Sequence, residues 1–124
     1  MEEYINDLDE YSELKFEELT SRKILHRYLE RTLHLALENM LVIGYHIISD
    51  ERLGNPVSHK SAIKILAGNN IIKENVDDYI KMAQFRNIIV HDYANIDPEI
   101  MLKIIKENIS DLKSIFKWYN EYII

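Results

Sequence analysis

The sequence predicts an all-α fold, an antiparallel bundle of four to five helices, and three observations carry that expectation. Only three Gly and two Pro punctuate 124 residues, so turns are few and the elements between them are long. Apolar residues recur at i, i+3, i+4 and i+7 along most of the chain, the period of a helix with one buried face. The hydrophobic fraction of 47% and charged fraction of 29% are those of a folded globular chain rather than a disordered one. A chain of this length has room for one domain, here residues 1–124.

The elements follow in order. Residues 2–14 place Tyr4, Leu8 and Tyr11 at i, i+4 and i+7, predicting an acidic first helix with a narrow apolar stripe. From Ser21 to Arg52 the chain has no Pro and a single Gly, at position 44. Across that stretch Leu25, Leu29, Leu33, Ala36, Met40, Ile43 and Ile47 keep helical spacing. Leu37, Leu41 and Ile48 widen the stripe, so this helix is either central in the bundle or shared with a second subunit. Gly54-Asn55-Pro56 breaks the chain. Ser58 is expected to N-cap a short helix carrying Ile63, Leu66 and Ala67, closed by Gly68-Asn69-Asn70. Glu74–Tyr93 reads as a third long helix, with Val76, Tyr79, Ile80, Ala83, Ile88 and Val90 as its apolar positions. Asp97-Pro98, an N-cap acid followed by Pro at the first helical position, opens a last helix. Its apolar residues, from Met101 through Leu112 to Tyr119, run at helical spacing to the C-terminus.

Charge and composition exclude several functions. The net charge of −6 argues against a chain that coats nucleic acid through charge alone. It leaves room for an enzyme that grips a few phosphates locally. Eight of the acids lie in residues 1–20, and without them the remainder is near neutral, with 14 bases and 13 acids. The absence of cysteine excludes disulfides, thiolate zinc sites and cysteine nucleophiles. No apolar run approaches the length of a membrane span, and the acidic first twenty residues do not resemble a signal peptide. A cytoplasmic protein with no membrane association is expected. There is no P-loop, GxGxxG or nucleophile elbow.

One segment carries chemistry: Phe85-Arg86-Asn87-Ile88-Ile89-Val90-His91-Asp92-Tyr93. On a helix, Asn87 and His91 share a face, and Arg86 and Tyr93 are nearly eclipsed. Arg86 and His91, five residues apart, diverge by about 140°. A two-fold partner would bring the Arg86 and His91 groups of two copies into one cleft. Histidine transfers protons near neutrality, and arginine offers a fixed cationic fork for a phosphate and the charge that grows on it. Asn87 would then fix the imidazole's orientation. Together these groups suit metal-independent cleavage of RNA, with the ribose 2′-hydroxyl as nucleophile. The alternative needs no chemistry: an Arg, a His and a Tyr near a helix end cap carbonyls and pair with Asp92.

Arg86-Asn87, three residues, then His91-Asp92-Tyr93 resembles the R-x4-H-x-Y motif of the HepT-like toxins, a branch of the HEPN ribonuclease superfamily. The context resembles that family as well: a long helix with LALENMLVIGYHIISDERLG, a short helix, and a Gly-Asn-Asn-Ile-Ile turn into KENVDDYIKMAQFRNIIVHDYANID. The likeness spans about residues 20–100, while residues 1–19 and the last helix match only in being helical. It implies a HEPN-like homodimer with a composite site at the subunit interface, in which Arg86 and His91, with Asn87 beside them, are the catalytic residues. It also implies metal-independent endoribonuclease activity in a toxin–antitoxin pair whose antitoxin is an MntA-like nucleotidyltransferase. In such pairs the antitoxin can transfer AMP to the motif tyrosine, here Tyr93. A competing reading from another class is a non-catalytic helical, nucleotide-binding accessory subunit of a nucleotidyltransferase.

Weaker features remain. Lys23, Arg27 and Arg31 step along one helix face at i, i+4 and i+8. They form either a strip that tracks RNA phosphates toward the cleft or a solvated face paired with nearby acids. His26, His34, His46 and His59 show no H-x3-H pair and no carboxylate set of a metal site, so they read as packing or surface residues. No metal and no cofactor are expected.

Overall fold

The computed structural model describes residues 1–91 and 96–123. Seven helices and no strand occur among the described residues: α1 (Glu2–Asp9), α2 (Phe16–Ser21), α3 (Lys23–Asp50), α4 (His59–Gly68), α5 (Val76–His91), α6 (Pro98–Glu107) and α7 (Ile109–Ile123). The all-helical expectation holds, while the two terminal segments each hold one helix more than their apolar spacing suggests. The first helix stops at Asp9 because the following turns close on i→i−3 bonds, from Tyr11 N–H to the Leu8 carbonyl and from Leu14 N–H to the Tyr11 carbonyl. The short α2, absent from the sequence reading, is opened by the Lys15 backbone N–H donating to the Glu18 carboxylate at 3.3 Å. It buries Leu19. The C-terminal segment breaks at Asn108, whose backbone leaves the helical region at φ −103° and ψ 5°, and its side-chain amide donates to the Asp111 carboxylate at 2.9 Å across the start of α7.

Two ends behave as the local chemistry dictates. The Ser58 hydroxyl accepts the Ser61 N–H at 3.1 Å and caps α4. The Asp97 carboxylate accepts the Glu99 N–H at 2.9 Å, with Pro98 at the first helical position of α6. Helix α5 begins at Val76, two residues later than its apolar pattern, because Asn75 takes a left-handed backbone with φ 57°.

The 28-residue α3 is the spine of the bundle, touching α1, α2, α4, α5 and α7. Leu29, Leu33, Ala36, Leu37, Met40 and Ile48 along it are closed to solvent. Its broad apolar face is therefore consumed within one chain, and the width of that face no longer calls for a second copy. Helix α7 packs on α3 at Gly44, where Tyr119 lies against the glycine. A Cβ there would lie 2.8 Å from the Tyr119 hydroxyl, which donates to the Met40 carbonyl at 2.9 Å. Helix α5 is pinned to α7 by Tyr79, whose buried hydroxyl donates to the Asp111 carbonyl at 2.7 Å. The buried Asp111 carboxylate in turn accepts from Asn75 at 3.0 Å. These contacts fix the pitch of α5 and so the direction in which its polar residues point.

Candidate functional site

Helix α5 delivers Arg86 and Asn87 to a polar patch whose other members come from α3 and α4. The Arg86 Nε donates to Glu38 Oε2 at 2.7 Å, and Nη2 meets the same oxygen. Nη1 donates to the Asn87 Oδ1 at 3.3 Å. The Arg86 side chain is 17% exposed and that of Glu38 35%, so the ion pair is partly shielded from water. A guanidinium has five N–H donors, and these partners use three. The other two have no partner among the described residues, which suits the oxygens of a phosphate.

Three more titratable side chains sense this pair. His34 and Glu38 approach to 4.0 Å on α3. Burial lowers the His34 pKa, with Arg31 and Arg86 adding to the shift and Glu38 opposing it. His59, the first residue of α4, has its Nδ1 2.9 Å from the Tyr45 hydroxyl of α3, with the two rings edge to face at 5.6 Å. Burial lowers the His59 pKa, followed by the Arg86 guanidinium, against the pull of Glu38. Burial raises the pKa of Tyr45, which Arg86 partly offsets.

The motif residues do not all converge. His91 ends α5 and is exposed, on a different side of the helix from Arg86. Among the described residues Asn87 bonds Arg86 and not His91, so the expected Asn87–imidazole contact is replaced by a contact that steadies the fork. Tyr93 and Asp92 lie outside the described residues. The cationic strip of α3 is divided. Arg27 and Arg31 line a hollow of about 370 Å³ with Glu30, His34 and Ile89. Lys23 instead lines a separate, more apolar hollow with Tyr11, Arg22, Ile24, Leu25 and Tyr28. Neither Arg27 nor Arg31 has an acid within salt-bridge distance among the described residues. No cluster of three or more metal-ligating side chains occurs there, and no helix is long and apolar enough to cross a membrane.

Sequence reasoning missed Glu38, Tyr45 and His59. Glu38 sits four residues after His34 on the rim of an apolar stripe, which marks a carboxylate near the core but names no partner. Its cation lies 48 residues away.

Solved structures share this architecture. A toxin–antitoxin complex determined with AMP-PNP contains a chain that superposes with a TM-score of 0.81 at 25% identity, covering 96% of this chain and 89% of that one. A tri-AMPylated HEPN toxin of Shewanella oneidensis, in complex with an MNT antitoxin, gives a TM-score of 0.73 at 22% identity over 98% and 99% of the two chains. A mutant MntA–HpeT toxin–antitoxin gives 0.74 at 20%, over 95% and 98%. The mRNA nuclease HepT of Shewanella oneidensis is 32% identical over 77 residues. The aligned part is 61% of this chain and spans only 58% of that relative's length. The family of proteins described as Ribonuclease HepT-like matches residues 1–117, all but the last seven of 124, and the chain belongs to that family.

Proposed function

We propose that the protein is the toxin of a HepT/MntA-type toxin–antitoxin pair, a metal-independent endoribonuclease that cleaves RNA at a site built on Arg86 and His91. The observation that carries this reading is the Arg86 fork, steadied by Glu38 and Asn87, with two donors that have no partner among the described residues and so suit a phosphate. In the reaction the RNA 2′-hydroxyl attacks the adjacent phosphorus, and the 5′-oxygen leaves. Arg86 binds the non-bridging oxygens and meets the charge that grows on them. His91 protonates the departing oxygen. Products carry 2′,3′-cyclic phosphate and 5′-hydroxyl ends.

The divergence of Arg86 and His91 on α5 supports a homodimer in which His91 of one protomer serves the Arg86 cleft of its partner. Exposed apolar residues support the same assembly. Ile24, Tyr28 and Val42 of α3 are 83%, 42% and 54% exposed and fall within about 40° on the helix wheel. Arg27 and Arg31 would add attraction for the RNA backbone, while Lys23, in a separate hollow, would contribute to it only at a distance. Control by a nucleotidyltransferase antitoxin follows from the family: AMP on Tyr93, two residues after His91, would bring a base and a negative charge to the place of the RNA phosphate.

The test is cleavage of RNA by the purified chain with and without EDTA, next to Arg86→Ala and His91→Ala. Each variant should fold and lose about 10²–10⁴ in rate. Cleavage that depends on a divalent metal would refute the mechanism. Intact RNA in every lane, with nucleotide bound, would favour the accessory subunit instead.

A further inference from the structure

Six side chains of α3 share one narrow sector of that helix. Arg27, Arg31, His34, Glu38, Tyr45 and Ser49 fall within about 60° on the helix wheel, and no aliphatic residue of α3 falls between them. Glu38 is central to the series and bonds Arg86 at 2.7 Å. Arg31 precedes it by seven residues and Tyr45 follows it by seven, about 10 Å along the axis in each direction. A hollow lies on each side of the pair. Arg27, Arg31 and His34 line one, of about 370 Å³. Tyr45 and Ser49 line the other, of about 590 Å³, with Arg52, Gly54, Asn55 and Pro56 from the turn after α3.

We propose that this sector of α3 is the track of the RNA strand, and that the hollow of Tyr45, Ser49, Arg52 and Asn55 is a subsite for a nucleotide flanking the scissile bond, on the opposite side of Arg86 from Arg27 and Arg31. The proposal rests on the reading of the protein as an RNA-cleaving enzyme and adds a binding site to it. The exposed apolar residues Ile24, Tyr28 and Val42 border the sector without entering it, so the face that supports the homodimer uses none of the track's residues.

Charge, lining and backbone each support the subsite. Arg27, Arg31 and Arg52 have no acid within salt-bridge distance among the described residues, and Glu38, the one acid of the sector, is held by Arg86. Glu30, which also lines the first hollow, faces His26 at 3.7 Å. Asp50 and Glu51, next to Arg52 in sequence, line a separate hollow with His46 and Tyr122. The track is therefore cationic in a chain of net charge −6. In the second hollow the Tyr45 ring, fixed by its 2.9 Å contact with His59, offers an aromatic wall to a base. Ser49 and Asn55 offer donors and acceptors to a base edge, and Arg52 a fork to the phosphate. Arg52 takes a left-handed backbone, φ 54°, which Gly or Asn adopts more readily. The turn gains nothing from an arginine there, whereas a phosphate contact requires one.

The experiment measures kcat/KM on RNAs lengthened one nucleotide at a time on either side of the scissile phosphate, from the shortest RNA that wild type cleaves. The full chain is compared with Arg52→Asn, Arg52→Gln and Arg31→Gln. Wild type should gain with length on both sides and then level off. Asn suits the left-handed backbone, so Arg52→Asn should keep or raise the thermal midpoint. On long RNA each Arg52 variant should lose about tenfold in kcat/KM, mainly through a raised KM, and on the shortest RNA less than about twofold. The Arg52 variants should lose the benefit of extension on one side of the scissile phosphate, and Arg31→Gln the benefit of extension on the other. Binding of a long RNA made uncleavable by a 2′-deoxy nucleotide at the cut should lose about 0.7 in salt slope in each variant. A folded Arg52→Asn that cleaves long RNA within twofold of wild type, or loses the same factor at every length, overturns the subsite and leaves the enzyme reading intact. Arg31 and Arg52 variants that lose the same side overturn the track. A loss joined to a thermal midpoint several degrees lower assigns Arg52 to the fold and also overturns the subsite. A wild type that leaves every RNA uncut overturns both readings.

Discussion

Replacing Glu38 with Gln removes one charge from the Arg86 pair and keeps its shape, and the consequences for binding and for catalysis have opposite signs. Arg86 donates to Glu38 through Nε, at 2.7 Å, and through Nη2, with the two side chains 17% and 35% exposed. A buried hydrogen bond to a charged group contributes about 1.5–3 kcal/mol, and an exposed ion pair about 0–1 kcal/mol. This pair lies between those limits, so its hold on the guanidinium is on the order of 1–2 kcal/mol. If that hold aligns the fork with the phosphorus, its loss lowers kcat by about 5–30-fold, since 1.36 kcal/mol is a factor of ten. Binding moves the other way. Removing a carboxylate beside the phosphate site leaves KM unchanged or lower, and the salt dependence of RNA binding steepens by about one phosphate contact. Single-turnover and steady-state cleavage of a labelled RNA at several salt concentrations separates the two quantities. An unchanged kcat, or a loss lying wholly in a raised KM, would refute the positioning argument.

Two further outcomes concern the fold. Gly44→Ala places a Cβ 2.8 Å from the Tyr119 hydroxyl and 3.0 Å from the Leu66 Cδ1, an overpacking that costs about 1–3 kcal/mol against a helix-propensity gain of up to about 1 kcal/mol. The thermal midpoint should drop by several degrees, and Tyr119→Phe in the same chain should restore part of it by removing the clashing oxygen; a raised midpoint in the single variant would contradict the packing. His34 and His59 have lowered pKa values in the fold, so the unfolded chain binds more protons than the folded one once pH falls through the usual histidine value of 6.5. Their contribution to stability is present above that value and is lost on acidification toward the depressed folded values. Urea midpoints at pH 8 and pH 5.5 should therefore differ less in the His34→Gln/His59→Gln double variant than in wild type, and an equal difference would show that the two rings titrate alike in both states.

Most of the fold was legible because its signals are local. Ser58 and Asp97-Pro98 start helices through bonds that span two or three residues, and the apolar period of α3 is visible without knowledge of its neighbours. The errors came where a continuous apolar pattern crosses a break in the helical backbone. Asn108 interrupts the run into α7 with a non-helical backbone, although Ile104, Ile105, Leu112 and Ile115 keep their spacing across it. The site was less legible for the same reason. A helix wheel separates Arg86 from His91 correctly, but it holds no information on what α3 and α4 bring to α5. The Glu38–Arg86 pair spans 48 residues and the Tyr45–His59 pair 14, and no spacing rule in one sequence reports such contacts.

Under the proposed function the pair also bears on why an arginine that grips phosphate should be partnered by an acid at all. A lone exposed arginine would attract RNA more strongly, yet most of that attraction is felt equally by bound substrate and transition state and does not speed the chemical step. Holding the guanidinium to Glu38 and Asn87 gives up part of the charge and removes rotamers that would otherwise be lost on each encounter. The two N–H groups left open have a fixed direction, so they gain most when negative charge builds on the non-bridging oxygens along that direction. In a chain of net charge −6, general attraction for RNA is weak from the outset. Under the proposed function Arg27 and Arg31, with no acid in salt-bridge contact among the described residues, would supply that attraction locally and leave Arg86 specialised for the step itself.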